Sequence, residues 1–136
     1  MIHLCLRQHV IAALSDELRR PQYQGDPNPY RGHCYVASEA YYHLRKKYQG
    51  RIYGDAPATA LKPHTVRVGG DVHWFLRDQD GAVVDLTCGQ FWDPVPYHLG
   101  RGRGFLTKKP SKRAAVVIER VENSIEHELL GWSWSK

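Results

Sequence analysis

Cys34, His73 and Asp85 fall along the chain in an order that suits thiol chemistry. Cys34 follows Arg31-Gly32-His33 and opens the amphipathic run Cys34-Tyr35-Val36-Ala37-Ser38-Glu39-Ala40-Tyr41. His73 lies in Val72-His73-Trp74-Phe75-Leu76, and Asp85 in Val83-Val84-Asp85-Leu86-Thr87. A helix N-terminus favours a thiolate, and a nearby imidazole takes the thiol proton. In such a set Cys34 attacks a carbonyl, His73 carries the proton to the leaving group, and Asp85 fixes the imidazole tautomer and stabilises its charged form. Backbone N–H groups at the helix start suit the developing oxyanion. Gln24 and Asn28, in the loop before the cysteine, are candidate side-chain donors to it. His33, beside the cysteine, and Trp74, beside the histidine, are candidate substrate contacts.

Plainer roles compete with each of these. Cysteine is commonly buried as a structural thiol, a strand histidine is often a satisfied core residue, and an aspartate at a strand end often belongs to a turn. Cys88, three residues past Asp85, is close enough in sequence to touch the site. His33, Cys34, His73 and Cys88 would also make a zinc ligand set, but adjacent residues seldom ligate one ion well. No CxxC spacing is present, so neither a zinc knuckle nor a redox dithiol is indicated. The expectation is therefore no metal and no cofactor.

The elements that must hold these residues follow from periodicity. Leu6, Val10, Leu14 and Leu18 predict an amphipathic helix over about 3–19, stopped by Pro21. Residues 21–33 form a loop rich in proline and glycine. A second helix is expected over about 33–48, broken by Gly50 and Gly54, with a loop over 55–63 around Pro57 and Pro63. The period then changes to two. Strands are expected over 65–68, 71–77 and 82–87, with turns at Gly69-Gly70 and Asp78-Gln79-Asp80-Gly81. Residues 88–109 fit no element, since Pro94 and Pro96 oppose a central strand. A last helix is expected from Pro110-Ser111 to about Leu130. The tail Trp132-Ser133-Trp134 either docks on the body or frays.

Hairpin register decides whether His73 and Asp85 can meet. A three-residue turn, Gln79-Asp80-Gly81 with Gly81 left-handed, sets Asp78 opposite Ala82, Phe75 opposite Asp85 and His73 opposite Thr87. His73 and Asp85 are then diagonal neighbours on one face. A two-residue turn at Asp80-Gly81 would put them on opposite faces. The sequence permits both, and the first is favoured because it gives His73 its carboxylate.

The 136 residues suit a single domain, 1–136, able to bury about two-thirds of its unfolded surface. At 42% hydrophobic and 24% charged, the composition is that of a soluble globule. No run is apolar enough to span a membrane, and Met1-Ile2-His3-Leu4-Cys5-Leu6 is cut short by Arg7, so no signal peptide is expected. Three cysteines cannot all pair, which fits a reducing cytoplasm. The net charge of +5 is concentrated in Arg101, Arg103, Lys108, Lys109, Lys112 and Arg113. Arg101, Arg103, Lys108 and Lys109 are candidate anion-binding residues, although a solvated face is the plainer account of any charge run.

The ordered set Gly32-His33-Cys34-Tyr35-Val36-Ala37-Ser38-Glu39, His73-Trp74-Phe75-Leu76 and Asp85-Leu86-Thr87 resembles the papain-like thiol enzymes, and most of all their compact transglutaminase-like core. The likeness covers about residues 20–92. The tryptophan that often adjoins the family's cysteine is Tyr35 here. The resemblance implies an α+β fold in which N-terminal helices pack on a small antiparallel sheet and a C-terminal helix follows, with Cys34, His73 and Asp85 as the triad. The implied activity is acyl transfer on an amide- or ester-bearing substrate, a protein included: hydrolysis, deamidation or transamidation. Two other functions compete. One is a non-catalytic basic protein that binds nucleic acid or an acidic partner. The other is a DNA- or nucleotide-modifying accessory enzyme that joins the thiol site to the basic segment.

Overall fold

The structure, a computed structural model, describes residues 5–48 and 60–134, with side chains described as far as Glu128. The expectations for Gly50, Gly54 and Pro57, and for the side chains of Trp132 and Trp134, lie outside those residues. The helices are α1 (Leu6–Ala13), α2 (Cys34–Tyr48) and α3 (Lys112–Trp134). The strands are β1 (Lys62–Val68), β2 (Asp71–Arg77), β3 (Val83–Val84) and β4 (Arg101–Gly102). Single 3₁₀ turns lie at Asp16–Leu18, Pro21–Tyr23, Cys88–Gln90 and Tyr97–Leu99. The architecture is α+β, with one antiparallel sheet in the order β3-β2-β1-β4.

The first helix is shorter than its apolar stripe predicts. Leu14 turns extended, and Arg120 from α3 takes the Ala13 carbonyl at 3.0 Å and the Ser15 hydroxyl at 2.7 Å. A guanidinium that satisfies an end carbonyl removes the need for another helical turn. Leu18 is still buried, carried by the short turn that follows. His9 pins α1 to α3, with Nδ1 3.2 Å from Ser124 Oγ and Nε2 2.9 Å from Glu128 Oε2. Glu39 of α2 accepts a hydrogen bond from Ser111, just before α3, at 2.6 Å.

Strand β1 begins three residues before its alternating pattern, at Lys62, and takes in Pro63, which was expected to be loop. Proline is tolerated there because its carbonyl still bonds, accepting from Arg103 N–H at 2.9 Å. Strand β3 is the reverse case. The expected strand 82–87 pairs with β2 only at Val83 and Val84, and the chain then turns away. Residues 88–109, unassigned from sequence, supply two 3₁₀ turns and the edge strand β4.

Strand β2 is buried on both sides. Leu76 joins Leu6, Val36, Ala40, Leu44, Val117 and Val121 in a core under the helices. Phe75 points the other way, into a smaller core with Val66 and Val95 that is closed by Phe91 and Tyr97. The segment after β3 is thus the second cover of the sheet.

The β2–β3 turn has the three-residue form. Gly81 has φ +84°, Gly81 N–H bonds to Asp78 O at 3.1 Å, and Asp78 N–H bonds to Ala82 O at 3.0 Å. A side chain at Gly81 would meet nothing within 4 Å, so only the backbone conformation demands glycine there. Gly81→Val is expected to lower the unfolding free energy by about 1–3 kcal/mol, seen as a lower urea midpoint. Gly81→Asn should recover most of that loss, because asparagine tolerates the left-handed region. Equal losses from the two variants would show that conformation is not what the glycine supplies.

Candidate functional site

The hairpin register determines the first half of the site. Leu76 pairs with Val84 and Arg77 with Val83, as the three-residue turn requires. Asp85 therefore emerges on the face of His73 and Phe75. Its Oδ2 lies 2.6 Å from His73 Nε2, and both side chains are almost fully buried. The carboxylate is saturated. Oδ2 also accepts from Tyr97 OH at 2.7 Å, and Oδ1 accepts from Thr87 N–H at 3.1 Å and from Thr87 Oγ1 at 3.5 Å. Burying a charge is tolerable only with such partners. Arg77 holds the frame outside it, donating to Gly81 O at 2.6 Å and to Tyr97 O at 2.9 Å.

The second half is the start of α2. Because β3 ends at Val84, the edge of β2 beside His73 is left without a strand neighbour, and α2 approaches there. Tyr35 and Trp74, the residues after Cys34 and His73, meet edge-to-face with centroids 4.8 Å apart. Trp74 stacks on Phe105 at 5.9 Å, and Ser38 Oγ donates to the Trp74 carbonyl at 3.4 Å. These contacts bring the Cys34 thiol to the His73 ring as a hydrogen-bond partner. Nε2 is occupied by Asp85, and Nδ1 stands 3.1 Å from the Gln90 amide nitrogen.

The loop before Cys34 is folded around one arginine. Arg19, 5% exposed, donates to the carbonyls of Tyr23, Asp26 and Asn28 at 3.2, 2.7 and 2.8 Å and to His33 Nε2 at 3.2 Å. Burial, helped by the Arg19 charge, pushes His33 down to about 4. His33 is thus neutral near pH 7. It lies under the loop rather than in the cleft wall. Gly32, with φ +84°, leaves no room for a side chain, since a Cβ would stand 2.7 Å from Tyr23 Cβ.

A cleft of about 360 Å³ opens over the thiol, lined by Cys34, His73, Trp74, Val72, Gln90 and Trp92 among others. Trp74 is among the lining residues, but its side chain is buried against Tyr35 and Phe105. Gln24 and Asn28 do not line the cleft. The Gln24 amide is used on the Arg19 carbonyl at 3.2 Å, and the Asn28 amide on Gly89 O at 3.4 Å, where it ties the loop to the turn that carries Gln90. Cys88 is exposed at the start of that turn, outside the cleft lining. The zinc set does not assemble: His33 Nε2 faces Arg19, His73 Nε2 faces Asp85, and among the described residues no three His, Cys, Asp or Glu side chains are grouped to hold a metal. Arg101, Arg103, Lys108 and Lys109 are all exposed and lie away from the cleft.

Two site residues escape sequence reasoning. Tyr97 shares Asp85 Oδ2 with His73, and Gln90 Nε2 lies 3.1 Å from His73 Nδ1. Gln90-Phe91-Trp92 reads as a core-closing cluster. Its nearness to Asp85 in sequence is the only signal that could have placed it at the site.

No helix among the described residues is long and apolar enough to cross a membrane. Compared with known family models, curated proteins and solved structures, the chain matches none.

His73 and His33 are shifted in opposite directions. Burial alone lowers His73, but the hydrogen bonds with Asp85 and Cys34 outweigh it and hold the ring up at about 9. An unfolded histidine titrates near 6.5. The His73 contribution to stability is therefore complete below about pH 6.5 and is lost as pH rises through about 9. The His33 contribution is present above about pH 6.5 and is lost as pH falls through about 4. The urea midpoint is expected to peak at about pH 6–7. His73→Gln should flatten the alkaline limb, worth about 3 kcal/mol, and His33→Gln the acid limb. A His73→Gln profile parallel to wild type above pH 7 would refute the assignment.

Proposed function

We propose that the chain is a thiol-dependent acyl-transfer enzyme of the papain-like, transglutaminase-like kind, acting on an amide or ester. The observation that carries this is the His73 ring, which has buried Asp85 on Nε2 and Cys34 as a further hydrogen-bond partner, at an open cleft. Cys34 Sγ gives its proton to His73 Nδ1 and bonds to the acyl carbon, and the carbonyl electron pair moves onto oxygen. The oxyanion collapses, the bond to the leaving group breaks, and the Nδ1 proton goes to the departing nitrogen or oxygen. Water or an amine then attacks the thioester by the reverse path. Asp85, fixed by Tyr97 and Thr87, keeps the Nε2 proton in place and balances the charged ring. The Cys34 backbone N–H, unpaired within its helix, is the first oxyanion donor. The free state of Cys5, Cys34 and Cys88 accords with a reducing compartment such as the cytoplasm.

Iodoacetamide labelling with mass-spectrometric mapping tests the reading. Cys34 is expected to react before Cys88, although Cys88 is the more exposed. If Cys88 reacts first, exposure rather than activation governs, and the reading falls. Against a cleavable substrate, Cys34→Ala should abolish turnover and His73→Ala should come close to it. The double variant should be no worse than either, because such residues act as a unit. Asp85→Asn should lose less.

The exposed basic segment supports a second, independent reading, a docking surface for an anionic nucleic acid or protein. Neutralising Arg101, Arg103, Lys108 and Lys109 together should hardly move the urea midpoint, since an exposed charge contributes at most about 1 kcal/mol. It should weaken retention on heparin, with the difference shrinking as salt rises. Unchanged retention would leave the segment a solubility feature.

A further inference from the structure

One oxygen of Asp85 holds two strong donors at once. His73 Nε2 stands 2.6 Å from Oδ2, and Tyr97 OH stands 2.7 Å from it. The other bonds to the carboxylate are longer and reach Oδ1, from Thr87 N–H at 3.1 Å and Thr87 Oγ1 at 3.5 Å. Tyr97 is anchored independently of that hydroxyl. Its carbonyl accepts from Arg77 at 2.9 Å, its N–H donates to Val95 O at 2.8 Å, and its ring packs edge-to-face on Phe75 with centroids 5.0 Å apart. Burial first, and the Asp85 bond and charge after it, push the Tyr97 phenol up, so it stays a donor across the working range of pH. Among the described residues, the titratable and charged groups facing His73 and Asp85 are Cys34 from α2, Cys88 and Tyr97 from the cover, and Arg77 on β2. Arg77 is used on the carbonyls of Gly81 and Tyr97.

We infer that Tyr97 is a positioning residue which, by taking a share of Asp85 Oδ2, keeps the His73 imidazolium able to give up its proton. This rests on the acyl-transfer reading above and adds to it the device that sets how strong an acid the ring is. The physical reason is competition for one oxygen. A hydroxyl that donates to Oδ2 stabilises the carboxylate by itself, so less of that stabilisation has to come from the charged ring. Asp85 without Tyr97 would grip the imidazolium harder. The ring would then keep the proton that acyl transfer must hand to the leaving group, and would be a poorer base toward water when the thioester is hydrolysed. Tyr97 loosens that grip while the carboxylate stays in place. A tyrosine that merely held Asp85 in position would act with the opposite sign. Its loss would let the carboxylate drift and weaken the hold on the ring.

Tyr97→Phe keeps the ring on Phe75 and removes only the hydroxyl, so it tells the two roles apart by the direction of a shift. The His73 ring protons are followed by NMR against pH, assigned by their loss in His73→Gln. In Tyr97→Phe their midpoint should rise by up to about one pH unit, part of the strength of a hydrogen bond to a charged group. Turnover of p-nitrophenyl acetate gives a second readout. Water attacks the acetyl carbon of the thioester, His73 takes the water proton, the bond to Sγ breaks with the electron pair left on sulfur, and acetate departs. That step needs the neutral ring, so the pH of half-maximal turnover should move up as well. Replacing Tyr97 by a ring-fluorinated tyrosine, a stronger donor of nearly the same shape, should move both midpoints down, and it decides the matter if Tyr97→Phe does not fold. A fall in Tyr97→Phe, or midpoints that stay where they are, would overturn the inference. If wild-type Cys34 reacts with neither iodoacetamide nor p-nitrophenyl acetate, the acyl-transfer reading itself fails. If it reacts with both and the midpoints do not move as stated, only the role of Tyr97 fails.

Discussion

Strand β2 has to bury both faces while keeping one stretch of its edge open, and the other elements are arranged around that demand. Leu76 needs the helices on one side, and Phe75 needs a cover on the other. The cover is the irregular segment after β3, which brings Gln90, Phe91 and Tyr97 to the His73 face. The open edge is where α2 ends its approach. Had β3 continued along β2 past Val84, the start of α2 would meet a paired strand in place of a free one. The short strand, the two-sided core and the seat of Cys34 are thus one requirement.

Charge is handled by saturation. Asp85 uses both oxygens, and Arg19 uses its guanidinium to replace the regular structure that the 19–33 loop lacks. A buried ion is costly unless its bonds are complete, and both are met largely by nearby backbone or by rigid neighbours. This places Cys34, His73 and Asp85 on fixed supports, with the thiol at a helix start, the imidazole on a central strand and the carboxylate at a strand end.

What sequence could reveal tracked how local the physics was. The turn at Asp78-Gln79-Asp80-Gly81 involves four residues and left two registers open, and the one favoured because it sets Asp85 beside His73 is the one observed. Helix α2 shows a full apolar face and starts within a residue of its expected place. The coarse α+β class followed from the change of period near residue 64. The rest depended on distant partners. Helix α1 stops because Arg120 reaches it from α3. Gln90 and Tyr97 belong to the site because of where a non-periodic segment lands, and no spacing rule encodes that. Gln24 and Asn28 looked suited as donors until the loop curled round Arg19 and used their amides inside it. A lone arginine after a helix gives no hint that it will be buried.

The segment over residues 85–97 is fastened at its two ends, tied between them at Gly89, Gln90, Phe91 and Val95, and open only at its crest. Asp85 and Thr87 anchor one end, and Tyr97, itself held by Arg77, anchors the other. Trp92, at the crest, is fully exposed on the cleft rim, and Asp93 and Pro94 beside it are exposed too. Such a span divides the labour of inheritance. Substitutions at the crest reshape the mouth of the cleft without unhooking the carboxylate, whereas substitutions at the fastenings disturb everything at once. The fold thereby keeps a place where the rim of the cleft can drift while Cys34, His73 and Asp85 stay as they are.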